Sequence, residues 1–367
     1  MKTPFRKLKI NNKYELKNCL AVAPMTTSQS NADGSISQAE SDWLIRLSED
    51  NYGMVITCAA SISETSTAFC NQMSLGQDKY IPELKIVTDK MKKNGSVNIV
   101  QLCHGGSRAI EALTHEKPHS ASSYEMPVIP DFIPPKELSV AQIHQIITDF
   151  ANACIRAEKA GFDGVVFHGA NGYLFTQFIS RMTNLRKDNY GGSLENRARF
   201  AREVVQACRS AVSDDFIIGF RISFENAGLE TGLDIDENIQ IVNWLTEDGI
   251  DYIHMSLLDF TSNSVKYPER NALQYVKSKI SNSIPLIGVG GITNVSSAIQ
   301  AMELGADIVA FGRAAIGNKD LPKLFEKGEE LPLQNPFSES GLTELGISHD
   351  FISYLRKMPV ASLNVVI

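Results

Sequence analysis

Three side chains near the middle of the chain, His168, Asn171 and Tyr173, are the ones whose types and spacing could do chemistry. They stand where the apolar run GVVFH (164–168) gives way to a turn, so all three could face one cavity. A histidine and an asparagine can each offer an N–H donor to a single carbonyl oxygen. Two such donors draw charge out of a conjugated double bond and stabilise the enolate-like transition state as charge develops on oxygen. A phenol, with a pKa of about 10 in water, stays protonated at neutral pH and can then protonate the α-carbon. A lone histidine at a strand end is more often structural, so the case rests on what surrounds it.

Those residues need a scaffold, and the sequence supplies a regular one. Short apolar runs read as strands at 19–25, 53–58, 97–102, 164–168, 216–223, 251–256, 285–291 and 306–312. Most lack apolar/polar alternation, as expected of parallel strands buried on both faces. Helical patterns lie between them at 37–50, 139–161, 193–212, 234–249 and 294–306. The first opens with Ser37 and Glu40 at capping-box spacing. Eight strands alternating with helices predict an α/β fold, a single (β/α)8 TIM barrel. The chain, 1–367, reads as one domain, with a long loop after strand three (103–138) and a helical tail from about 330 onward. A doubly wound sheet would open with a glycine fingerprint after strand one, whereas here that strand runs into PMTTSQ.

In such a barrel the reacting groups sit at strand C-terminal ends. The loops after strands seven and eight read V-G-G-I-T and F-G-R, with Gly290, Gly291, Gly312 and Arg313 offering unobstructed N–H groups and a cation. Those two loops are the usual phosphate site of this fold. Glycines in tight turns would explain either loop by itself; the two together with an arginine favour a phosphate.

The segment 168–200, H-G-A-N-G-Y-L-F-T-Q-F-I-S followed by N-L-R-K-D-N-Y-G-G-S-L-E-N-R-A-R-F, closely resembles the old yellow enzyme family of flavin-dependent ene-reductases. KNCLAVAPMTT, GMVITCAA, QLCHGG, GFRIS, GVGGIT and AFGRA resemble that family's other strand ends, so the likeness covers most of the chain. The resemblance implies FMN as cofactor, NADPH or NADH as reductant, and an activated alkene of the enone type as substrate. It places Pro24, Met25, Thr26, Ala59, Gln101 and Arg221 along the isoalloxazine ring, Gly290, Gly291, Gly312 and Arg313 at the phosphate, and His168, Asn171 and Tyr173 in catalysis. A cation such as Arg221 suits a reduced flavin, which carries negative charge near N1 and O2. Gln101 matches the amide-like edge of the pyrimidine ring, and Thr26 can donate to flavin O4.

There are departures. The family's H-x-G-R reads H-G-G-S-R here, with Ser107 at the usual arginine position and Arg108 one later, which leaves Arg108 without an assigned role. Thr26 and Ser28 stand where one subgroup has a redox-tuning cysteine and a tyrosine.

Composition narrows the alternatives. A net charge of −7 disfavours a nucleic-acid partner. Six scattered cysteines form no C-x-x-C pair, which argues against iron–sulfur, zinc or disulfide chemistry; no metal is expected, and a reducing cytoplasm is. The N-terminus shows no apolar signal region, and no apolar run is long enough to span a membrane. A homo-oligomer is left open. Two rival functions stand beside the ene-reductase: a flavin-dependent tRNA dihydrouridine synthase, which would use a cysteine such as Cys103, and a flavin or quinone reductase with no physiological alkene substrate.

Overall fold

The computed structural model describes residues 3–126, 132–226, 230–329, 337–357 and 365–366. Eight parallel strands close into a barrel: β1 Leu20–Val22, β2 Met54–Ser61, β3 Val97–Cys103, β4 Gly164–Gly169, β5 Ile217–Ile222, β6 Tyr252–Met255, β7 Leu286–Gly288 and β8 Ile308–Phe311. Each pairs with its successor in sequence, and β8 closes on β1 with Val309 opposite Leu20 and Phe311 opposite Val22. All eight expected strands are present; 285–291 is shorter, because Gly290 and Gly291 take φ of 109° and 70° and leave the extended region.

Around the barrel run α1 Gln38–Glu49, α2 Ile81–Lys92, α3 Val140–Lys159, α4 Leu194–Ala211, α5 Ile235–Glu247, α6 Ala272–Lys279 and α7 Val295–Glu303. Five match the helices read from the sequence, and α2 and α6 are additional. The first of these opens on Pro82 and buries Leu84, Val87, Thr88 and Met91 at helical spacing, a signal that was present but short. Side-chain caps start most of them, with Ser139 and Gln142 forming a complete capping box on α3. On α1 only half of the predicted box exists. Ser37 accepts from the Glu40 N–H, but the Glu40 carboxylate turns inward and accepts from the Thr27 hydroxyl at 2.5 Å.

Two packed layers result. Side chains alternating along the strands, including Ala21, Met54, Ile56, Val97, Ile99, Val166, Ile217, Tyr252, Ile287 and Ile308, fill the barrel interior. An N-terminal hairpin, Leu8–Lys9 paired with Glu15–Leu16, adds Ile10 and Leu16 to this interior cluster. The outward-facing residues pack under the helices. Carrying the inward parity toward the strand C-termini places Gln101, His168, Arg221 and His254 in one polar layer above the apolar one.

The expected long loop after strand three is largely that. It holds a tight turn at Gly106–Arg108, a one-turn helix at Glu111–Thr114 and a short parallel pairing of His119–Ser120 with Lys136–Glu137. Part of its proline-rich run, 127–131, lies outside the described residues. The tail contributes helices Glu339–Glu344 and His349–Lys357; 330–336 and 358–364 are likewise outside the described residues.

Candidate active site

A cavity of about 500 Å³ opens at the C-terminal mouth of the barrel. It is lined by Met25, Thr26, Arg221, Gly290, Gly291, Gly312 and Arg313, seven of the ten residues expected around a flavin, with Phe351, Tyr354 and Leu355 from the tail. Of the remaining three, Pro24 offers its carbonyl to the Arg221 Nη1 at 3.4 Å. Ala59 and Gln101 face each other across β2 and β3, in register because a bulge between Ile56 and Ala59 inserts one extra residue into β2.

The catalytic candidates converge beside this cavity. His168 pairs in register with Arg221, and Arg221 with His254. The His168 ring lies against that of Tyr173, centroids 4.7 Å apart. Asn171 and Gly172 both take left-handed backbone conformations, φ 60° and 75°, which folds the chain sharply after β4. Three residues not singled out in the sequence hold that turn. The Gly172 N–H donates to the Glu230 carboxylate at 3.1 Å, the Asn171 N–H to the Ser223 hydroxyl at 3.3 Å, and the Ser256 hydroxyl to Asn171 Oδ1 at 3.4 Å. Ser256 Oγ also accepts from Arg221 Nη2 at 3.1 Å, linking the cavity wall to the catalytic turn.

Electrostatics set the protonation states. Burial, then Arg221 and Arg108, push the His168 imidazolium well below its ordinary range, so the ring is neutral at pH 7. Burial pushes the Tyr173 phenol upward, with Cys103 adding to the rise and Arg108 opposing it, so the proton stays on. Burial lowers the Arg221 guanidinium to about 10, with Glu230 and Tyr173 holding it up, and it remains a cation at neutral pH. A neutral histidine beside a protonated tyrosine and a fixed cation can polarise an oxygen and deliver a proton.

Other polar groups near the strand ends are held locally. His104 braces the turn beyond β3, its Nδ1 accepting from the Gly106 N–H at 3.0 Å, and lines a separate cavity with His119. His144 meets the Tyr190 hydroxyl at 3.1 Å on the barrel exterior. Thr26, expected to serve flavin O4, shares the cavity wall with Tyr354, a tail residue that nothing in strand-end patterning could reveal. The six cysteines are free, and no group of three or more histidine, cysteine or acidic side chains among the described residues could hold a metal.

Glu40, buried behind Thr27 and Cys58, leaves one oxygen without a partner, and its carboxyl is pushed up to about 7 by burial, with the hydrogen bond from the Thr27 hydroxyl opposing. A carboxyl raised on folding holds its proton better in the native state. Its contribution to stability is therefore whole below the ordinary value of 4.5 and is lost as pH rises through about 7. Replacing Glu40 by Gln is expected to stabilise the protein at pH 8 by about 1–3 kcal/mol and to do little at pH 4. Thermal melts at the two pH values check this, and an equal shift at both would refute it.

The cavity fits a flavin mononucleotide. Its volume is ordinary for a cofactor of that size. Gln101 Nε2, Arg221 Nε and His168 Nδ1 are buried without partners in the same polar layer, as polar groups awaiting a heteroaromatic edge would be. At the other end Gly290 and Gly291 present bare backbone beside Arg313.

The comparisons with known proteins agree. The chain belongs to the NADH:flavin oxidoreductase / NADH oxidase family, which it matches over residues 4–332. The protein named "Probable NADH-dependent flavin oxidoreductase YqiG" of Bacillus subtilis (strain 168) is 34% identical over 337 residues, 87% of this chain and 86% of that one. The NADH:fumarate oxidoreductase of Klebsiella pneumoniae (strain 342) is 33% identical over 88% of this chain, which spans only 36% of that longer protein. Among solved structures, morphinone reductase superposes with a TM-score of 0.81 at 27% identity, covering 93% of this chain and 92% of the other. The likeness to old yellow enzymes is thus family membership, and the chain is an FMN-dependent NAD(P)H oxidoreductase. No helix among the described residues is long and apolar enough to cross a membrane.

Proposed function

We propose that this enzyme, a single-domain barrel of the cytoplasm, reduces the activated carbon–carbon double bond of small-molecule α,β-unsaturated carbonyl compounds. The observation that carries the reading is the contact of the neutral His168 ring with the protonated Tyr173 phenol beside the flavin-sized cavity. His168 and Asn171 donate to the substrate carbonyl oxygen and favour the charge that forms there, each well-placed donor contributing about 3 kcal/mol. FMN, when bound, supplies the hydride it has taken from NADH or NADPH. Tyr173 then gives its proton to the α-carbon. Arg221 would serve the ring edge where negative charge accumulates, and the Gly290, Gly291, Gly312 and Arg313 cradle would hold the phosphate.

The dihydrouridine synthase alternative needs an accessible acidic cysteine. Cys103 is wholly buried and its thiol is pushed upward by that burial, which speaks against it.

The test uses purified holoenzyme in stopped flow, reduced by NADH or NADPH and then mixed with cyclohexenone. Flavin reoxidation with formation of cyclohexanone supports the reading, while reoxidation by quinones alone overturns it. Tyr173→Phe is expected to leave reduction by the nicotinamide nucleotide near wild type and to slow formation of the saturated ketone about 10²–10⁴-fold. A variant that makes product at the wild-type rate would assign the proton donor elsewhere.

A further inference from the structure

Arg108 occupies a place that the flavin does not explain. It ends the tight turn Gly106–Arg108 beyond β3, with an exposed side chain. Its Nη1 donates to the Asn171 carbonyl at 2.5 Å, and its guanidinium carbon lies 4.8 Å from the centre of the Tyr173 ring. The displacement of the arginine by one position has a structural basis. Residue 107 is half-buried and committed: the Ser107 N–H donates to Gln177 Oε1 at 3.0 Å, and its hydroxyl meets the Tyr124 hydroxyl at 2.7 Å. A cation at 108 instead stands at the mouth, over two of the three catalytic candidates.

Among the described residues Arg108 has no carboxylate within ion-pair distance. Glu230 accepts from the Gly172 N–H through one carboxylate oxygen, and its other oxygen is buried without a hydrogen-bond partner. No aspartate or glutamate among the described residues lines the flavin-sized cavity either. Bracing one backbone carbonyl uses one of five guanidinium N–H donors and leaves the rest at an open mouth. In a chain of net charge −7, an arginine with no acidic partner among the described residues, beside the reacting groups, is matched to an anion that arrives with the substrate.

Resting on the alkene-reductase reading, we infer that Arg108 is the receptor for a substrate carboxylate, so that the preferred substrates are enones carrying an acid group. The carboxylate takes no part in the bond changes. The double bond gains a hydride at the β-carbon and the Tyr173 proton at the α-carbon, solvent reprotonates the Tyr173 phenolate, NADH is oxidised to NAD⁺, and the carboxylate anchors the molecule so that its ketone meets His168 and Asn171.

A matched pair of substrates whose acid group is insulated from the double bond, 6-oxo-4-heptenoate and its methyl ester, tests this on the holoenzyme. The acid is expected to reoxidise the reduced enzyme with a kcat/KM about tenfold above the ester. Arg108→Ala should erase that preference, whatever factor both substrates lose in common, and Arg108→Lys should restore part of it. A readout independent of turnover is titration of the oxidised enzyme with 6-oxoheptanoate and its methyl ester, followed by the flavin spectrum. The wild type should bind the acid about tenfold more tightly, and Arg108→Ala should bind both alike. An acid preference that survives in Arg108→Ala overturns the inference, as does a loss confined to reduction by NADH, which would assign the arginine to the nucleotide. If neither substrate reoxidises the flavin, the alkene-reductase reading fails, and the titration separately upholds or refutes the anion site.

Discussion

Changing His168 and Asn171 together to alanine is expected to slow reoxidation of the reduced enzyme by cyclohexenone about 10³–10⁴-fold, with FMN still bound. One well-placed donor to a developing oxyanion contributes about 10²–10³ in rate, and two donors acting on one oxygen are not additive. The structure supports treating them as a pair: Asn171 is fixed by Ser256 and by the Ser223 and Glu230 contacts to its turn, and His168 by its place in β4 and by Tyr173. The variant should also lose the long-wavelength charge-transfer band given by para-substituted phenols, whose phenolate would occupy the same two donors. Retention of both the rate and the band would show that the polarising groups lie elsewhere. Because the imidazole is neutral and the phenol protonated, neither should titrate near neutrality, and the wild-type rate of this half-reaction should be flat between pH 6 and 9.

Gly290→Ala is expected to yield a protein of reduced flavin content whose affinity for FMN is about 5–100-fold weaker. The residue has φ 109°, where a side chain is strained, and a Cβ built there would come within 2.7 Å of the Leu257 carbonyl and 2.9 Å of the Asp259 nitrogen. These are backbone atoms and cannot swing aside. The strand-six loop would have to move, together with the hydrogen bond from the Phe260 N–H to the Gly290 carbonyl, at a strain of about 1–3 kcal/mol. The displaced loop carries Leu257 and Leu258, which line the same cavity, so the loss falls on flavin binding as well as on stability. Flavin content after purification and a fluorescence titration with FMN measure it. Full flavin content with an unchanged melting temperature would refute it.

Much of this molecule was legible in the chain because its information is local. A parallel strand buried on both faces has to be a short apolar run whatever its neighbours are, and the polar residue that ends it has to emerge at one rim of the barrel. Hence the eight strands, the polar layer of Gln101, His168 and Arg221, and the glycine cradle could all be located without coordinates. What only the closed barrel decided are encounters between segments far apart in sequence. Ser256 joins Arg221 to Asn171, Glu230 secures the Gly172 turn, and Tyr354 reaches Thr26 from a tail more than 300 residues away. Glu40 shows the same limit within a single motif, since capping-box spacing permits a carboxylate to reach back to Ser37 and only the packing of Thr27 and Cys58 determined that it turned inward. Periodicity specifies which face of an element is buried; which side chain it meets there depends on how the elements close around one another.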